Sequence, residues 1–214
     1  MKDRVIVISG VDGSGKSTVI AELKNSLLKL GYPVYSPWLR YNHYLTKGVF
    51  AIAKLLGLYS YEIRNGRRVL GYHDFYRCRL ISFLFIFTTF IDTFFASLVK
   101  IYIPVYVLRR TVICDRWVPD ILIDVAIDTG KDKLEKNMIW KLFWLLVPNR
   151  AKVFAIMRNS HDVLTCREEN RISRDFNIRF SMYNDLARLG GAHAVDNNGP
   201  VFGSVSQILD VLAP

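Results

Sequence analysis

The sequence predicts an α/β fold, a mostly parallel five-stranded sheet between two layers of helices, within a single domain spanning residues 1–214. Two observations predict it. Short β-branched runs alternate along the chain with longer stretches whose apolar residues recur at helical spacing. The first of these runs, Val5 to Ser9, is apolar at nearly every position, as a strand covered on both faces must be. A chain of 214 residues buries a sizeable core, and no repeat, low-complexity tract or linker divides it.

The elements follow in order. A glycine-rich turn succeeds the first strand at once, and from Ser17 to Leu30 the residues Ile20, Leu23, Leu27 and Leu28 trace a helix that Gly31 ends. Pro33 to Trp38 gives the second strand. Tyr41 to Tyr61 is expected to hold a helix around Phe50, Ile52, Leu55 and Leu56, and Asn65 to Tyr72 a basic connection. Phe75 to Lys100 reads as a long apolar helix. Val105 to Trp117 then carries the third strand of the sheet, Thr111 to Cys114, closing in Asp115-Arg116-Trp117. Asp120, Asp124 and Asp128 recur every four residues, which puts them on one helical face, expected to be solvated. Leu134 to Val147 is a further helix, Ala151 to Met157 the fourth strand, and His161 to Arg188 a polar helical stretch with five arginines. A short strand near Ala192 to Val195 and a helix over Val205 to Leu212 complete the pattern.

Charge and cysteines narrow the class. A net charge of +10 suits a protein that handles polyanions, whether nucleotides, nucleic acid or an anionic membrane. No recognised nucleic-acid motif is present, so no nucleic acid is expected as partner. Cys78, Cys114 and Cys166 lie far apart, without CxxC or Cys/His ligand spacing. They exclude a disulfide framework and a zinc site and read as reduced thiols, and a cytoplasmic location is expected. The start, MKDRVIVISG, offers no apolar leader before the first strand.

Ile81 to Val99 is nearly long enough to cross a bilayer and carries one charge, Asp92. The strands before and after it belong to one sheet, however, and a spanning helix would separate them. The segment is therefore expected to be a crossover helix covered in part by a second subunit, making a homodimer through residues 81–100, with peripheral membrane contact as the alternative.

Gly10-Val11-Asp12-Gly13-Ser14-Gly15-Lys16-Ser17 matches GxxxxGK[ST] in the required context of a buried strand before and a helix after, and Thr18 continues it. Glycines let backbone N–H groups wrap phosphate oxygens, Lys16 supplies charge to the β and γ phosphates, and the Ser17 hydroxyl ligates Mg²⁺. The expected ligands are ATP and Mg²⁺. A carboxylate at Asp12, inside such a cradle, needs metal, acceptor or arginine beside it. Asp115 and Arg116 close a strand at the edge where open α/β sheets bind ligands. There Asp115 can join the metal shell, and Arg116 can clamp a phosphate or acceptor. Arg167, Arg171 and Arg174 share a helical face or a loop, within a lid of roughly residues 161–180 that would close over the moving phosphoryl group.

With GVDGSGKST, VICDRW, the arginine-rich stretch Arg167 to Arg179, Phe180 to Tyr183 and Val195-Asp196-Asn197 in this order, the chain resembles the thymidylate kinase family of P-loop nucleoside monophosphate kinases. The resemblance implies a P-loop kinase sandwich that transfers phosphate from ATP to a nucleoside monophosphate, dTMP first among them. It further implies Asp12 and Arg116 near the acceptor, Asp115 at the metal and Asn197 near adenine. Gly13 stands where some members carry a loop arginine, which leaves transition-state charge to the lid arginines. On the acceptor side the chain departs from the family. Trp38-Leu39-Arg40-Tyr41 replaces Arg-Glu-Pro-Gly and leaves Arg40 as the phosphate contact. The apolar helix lacks the family's arginine, and Val118-Pro119-Asp120 replaces the stretch after Asp-Arg-aromatic, with Asp120 as a substrate contact. The alternatives are a P-loop kinase of a sugar, nucleoside or lipid-linked headgroup, and a nucleotide-dependent membrane-associated regulatory protein.

Overall fold

A computed structural model of the chain describes residues 4–40, 43–64, 67–131, 138–188 and 191–212. At its centre β1 (Val5–Ser9) lies in an all-parallel sheet of five strands. The spatial order is β2 (Val34–Tyr35), β5 (Thr111–Asp115), β1, β6 (Lys152–Met157) and β7 (His193–Asp196). Alternate residues of β1 serve two cores, which is why its run is apolar throughout. Val5 and Val7 join Val112, Cys114 and Val153 beneath α3 (Arg79–Ser97), α4 (Val118–Thr129) and α5 (Met138–Trp144). Ile6 and Ile8 join Ile113, Phe154 and Ile156 beneath α1 (Lys16–Lys29) and α9 (Val201–Leu212). The result is a sheet between helical layers, as expected.

Four expectations need correction. The helix expected through Tyr61 is shorter, α2 (Thr46–Leu55), and a separate antiparallel hairpin follows: β3 (Tyr59–Arg64) with β4 (Arg67–His73). Gly57, at φ +67°, ends the helix, and the aromatic, alternating Tyr59 to Arg64 suits a strand. The basic connection is thus half of that hairpin; residues 65–66, like Tyr41, lie outside the described residues. Second, the third strand lies where expected, Thr111–Asp115, but the apolar helix does not end at Lys100. It begins after a single 3₁₀ turn at Phe75–Arg77 and continues past α3 as a wide π-helical segment, Leu98–Val107, which accommodates Pro104. Third, the polar stretch after residue 160 is three helices: α6 (Ser160–Cys166), α7 (Glu168–Ile172) and α8 (Phe176–Arg188). Fourth, Asp120 and Asp128 on α4 are buried, and so is most of Asp124, so the carboxylate stripe faces inward. The helix expected from Leu134 is described only as α5, because residues 132–137 lie outside the described residues.

Arg79–Val107 is long and apolar enough to cross a membrane by length and composition, but half of its most apolar window is buried in the fold. Phe85, Thr89 and Asp92 face inward, while Leu80 (65% exposed), Phe83 (64%), Phe87 and Phe95 form an outward apolar stripe. Asp92, the one charge between Ile81 and Val99, is fully used. It accepts the backbone N–H groups of Tyr44, Leu45 and Thr46 at 2.9–3.0 Å and the Thr46 hydroxyl at 2.8 Å, which caps the start of α2.

Candidate active site

Between β1 and α1 the chain turns through Gly10, Gly13 and Gly15 at φ +146°, +91° and +90°. A Cβ on Gly10 would stand 2.8 Å from the Ile156 carbonyl oxygen, and one on Gly15 would collide with the Asn197 amide. Only glycine lets the loop lie this close to the ends of β6 and β7. Two amides brace it: Asn197 Nδ2 donates to the Ser14 carbonyl at 2.7 Å, and Asn170 Nδ2 to the Asp12 carbonyl at 2.8 Å. Asn197, expected beside adenine, is thus one of the loop's two braces. Lys16 Nζ curls back onto the Val11 carbonyl at 2.6 Å. Burial, and then the neighbouring Arg116 charge, lower its pKa to about 7 against the pull of Asp12. The buried Ser14 hydroxyl has no hydrogen-bond partner, while Ser17 and Thr18 are exposed on the first turn of α1.

Asp12 leaves the loop to ion-pair with Arg116 and, at 3.5 Å, with Arg40. Burial alone would raise its pKa; Arg116, Lys16, Arg40 and Arg167 together lower it, so it stays ionised. Arg116 itself sits at φ +61°, a costly conformation for a residue with a Cβ. Its N–H bonds the Ile8 carbonyl at 3.1 Å, and its guanidinium reaches Asp120 at 3.1 Å. Asp120 is fully buried, accepting Ser9 Oγ at 2.5 Å and the Tyr183 hydroxyl at 2.7 Å. It aims Arg116 from behind and offers no surface to a substrate. Asp115, half-buried at the end of β5, has its pKa raised by burial against the pull of Arg116 and Lys16.

Arg40 forks onto Asp124 through Nε at 2.8 Å and through a terminal nitrogen at 2.7 Å, and Arg179 meets the same carboxylate at 2.5 Å. One turn further along α4, Asp128 pairs with His73 Nδ1 at 2.9 Å, and the His73 ring packs near-parallel against both Phe50 and Phe75, which also touch each other. Of the three lid candidates, Arg167 alone lines the cleft beside the glycine loop. Arg171 bonds the Leu164 carbonyl, and Arg174 clasps the hairpin through Asp74 at 2.6 Å, Ser60 at 3.1 Å and the Tyr72 ring. Sequence reasoning missed Arg158, Asn170 and His73, and it named Asp124, Asp128 and Arg179 without finding their partners. Arg158 was findable, because it follows the β6 strand at the same sheet edge as Arg116. Its Nε is buried without a partner, and it lines the cleft.

Two cavities meet at Arg40. An open cleft of about 590 Å³ is bounded by the glycine loop, Ser17, Asp115, Arg116, Arg158 and Arg167. A deeper cavity of about 120 Å³ lies beyond Arg40, walled by Phe50, His73, Phe85, Thr89, Asp124 and Asp128. No group of three or more His, Cys, Asp or Glu is placed to hold a metal among the described residues. The exposed Ser17 hydroxyl and the Asp115 carboxylate, which line the open cleft, are oxygen donors of the kind a magnesium ion would take. No protein-family model matches this chain, and no curated protein matches it.

Proposed function

We propose that the chain is an ATP-dependent phosphotransferase of the P-loop kinase build, with the triphosphate in the open cleft and a small acceptor in the deeper cavity. The observation that carries this is Arg40, which lines both cavities and touches Asp12 at their junction. Glycine-loop N–H groups, Lys16, Arg158 and Arg167 would hold phosphate oxygens in the open cleft, and Arg116, aimed by Asp120, would hold the group in transit. Bound Mg²⁺ would supply charge neutralisation across the β and γ phosphates. Phosphoryl transfer asks little covalent chemistry of a protein, so positioning and fixed charge account for most of the rate. The resemblance to thymidylate kinases adds weight on the donor side, where the matching residues lie.

The test is ADP release from ATP and Mg²⁺ by the full chain over a panel of acceptors, with ATP-induced thermal stabilisation measured in parallel. Absence of both ATP-induced stabilisation and acceptor-stimulated ADP release would overturn the proposal. A second copy of the chain covers the apolar stripe of α3 in this proposal, and a monomer in light scattering would overturn that part.

A further inference from the structure

We propose that the acceptor is an uncharged alcohol, the hydroxyl of a nucleoside or a sugar, and not a phosphomonoester. This rests on the phosphotransferase proposal above and concerns the deeper cavity alone.

The first ground is charge. The guanidinium groups lining that cavity are Arg40 and Arg179, and the carboxylates lining it are Asp92, Asp124, Asp128 and Asp175. Both guanidinium groups are already engaged with Asp124, at 2.5–2.8 Å. At the mouth, Arg116 is matched by Asp12 and Asp120. A phosphomonoester acceptor would put close to two negative charges at this mouth, where the guanidinium groups of Arg40, Arg116 and Arg179 are each already paired with a carboxylate. Behind it the cavity wall carries more carboxylates than guanidinium groups, and a neutral molecule enters without that repulsion.

The second ground is an unmet hydrogen bond. Thr89 is 4% exposed and lines the cavity, and its hydroxyl has no hydrogen-bond partner. A buried hydroxyl left unpaired is costly, and a polar group of a bound molecule would satisfy it. Asp128 lines the same wall, and its Oδ2 pairs with His73. Phe50 and Phe85 add flat apolar surface. Such a lining suits a molecule with one ring and several hydroxyl or amino groups.

The third ground is Asp12 at the junction, ionised and held between Arg40 and Arg116. In the transfer, the acceptor oxygen bonds the γ phosphorus as the bond from that phosphorus to its bridging oxygen breaks. ADP leaves with the bond's electron pair, and the hydroxyl proton passes to the Asp12 carboxylate and on to water. A phosphate acceptor is already deprotonated and would leave Asp12 without this role.

The test uses the full chain with ATP and Mg²⁺, offered free nucleosides, free monosaccharides and the monophosphate of each, with products resolved by mass. The nucleoside and sugar arms separate the two sources of the alcohol. The expected result is a product one phosphoryl group heavier from an alcohol, with kcat/KM about 100-fold or more above that for its monophosphate. Thr89→Val should raise KM for that alcohol several-fold with kcat little changed. Asp124→Asn, checked for folding by thermal melt, should tighten competitive inhibition by the monophosphate about tenfold. Preferential phosphorylation of monophosphates, or transfer to no alcohol, overturns the inference while the phosphotransferase proposal stands on ATP binding. Failure to bind ATP overturns both.

Discussion

Arg40 donates to both carboxylate oxygens of Asp124, at 2.8 and 2.7 Å, and thereby ties the loop after β2 to the buried face of α4. Arg179, from α8, closes on the same carboxylate at 2.5 Å, so three separate elements converge on one side chain. Replacing Asp124 by alanine leaves two guanidinium groups with no carboxylate between them. We expect Asp124→Ala to lower stability by about 3–5 kcal/mol, read as a reduced urea midpoint. An unchanged midpoint would refute the anchoring role.

The same group sets an acid limit. Burial alone would raise the Asp124 pKa, but Arg179 and Arg40 outweigh it and hold the carboxyl far below the usual carboxylate range. The folded pKa therefore lies below the unfolded value of about 3.9, and the folded state binds fewer protons in that interval. The stability this carboxylate contributes is complete above about pH 5 and lost as pH falls through the depressed folded value. In Asp124→Asn the fall of the thermal midpoint between about pH 5 and 2 should be shallower than in the parent. Parallel curves would assign the acid limb to other carboxylates.

Much of this arrangement was legible in the sequence, and the part that was not has a common cause. Gly10 to Ser17 announced its turn because glycine spacing and the flanking strand and helix are local features, and Asp115-Arg116 was placed correctly at a strand end. Asp120, Asp124 and Asp128 were read as solvated, because helical spacing puts residues on one face without saying which way that face points. Their direction was set by Arg116, Arg40 and His73, partners that lie 4, 84 and 55 positions away. The β3–β4 hairpin was missed although Asn65-Gly66 is a strong hairpin dipeptide, because apolar residues up to Leu56 extended the helical pattern towards it. Arg174 was assigned to the moving phosphate from its spacing with Arg171. Its actual partners are Ser60 in that unrecognised hairpin and Asp74 directly after it.

Lys16 is the sharpest probe of the glycine loop. In the folded chain its ammonium rests on the Val11 carbonyl, a contact it would exchange for phosphate oxygens. Lys16→Ala should lower ATP-dependent transfer by at least about 100-fold, because a fixed charge is removed from the migrating group. The circular dichroism spectrum should remain that of the parent, since the lysine supplies one side-chain hydrogen bond to the loop. Transfer within a few-fold of the parent would sink the cradle assignment.

The arginines expected in a lid separate by placement, and their variants should separate by kinetics. Arg167 faces the open cleft and is close enough to Asp12 to lower its pKa, whereas Arg174 is bound to Asp74 and stacked 4.1 Å over the Tyr72 ring. Arg167→Ala should therefore lower kcat by about 100-fold with little change in stability, as expected for charge that acts on the phosphoryl group in transit. Arg174→Ala should lower kcat less than about tenfold, because what it removes is the clasp between the turn after α7 and the β3–β4 hairpin region. Its signature would be faster amide hydrogen exchange in residues 59–64 and 168–176, from loss of that clasp. The opposite ranking of the two kcat values would mean that Arg174 moves into the cleft during turnover and that the hairpin clasp is only its resting place.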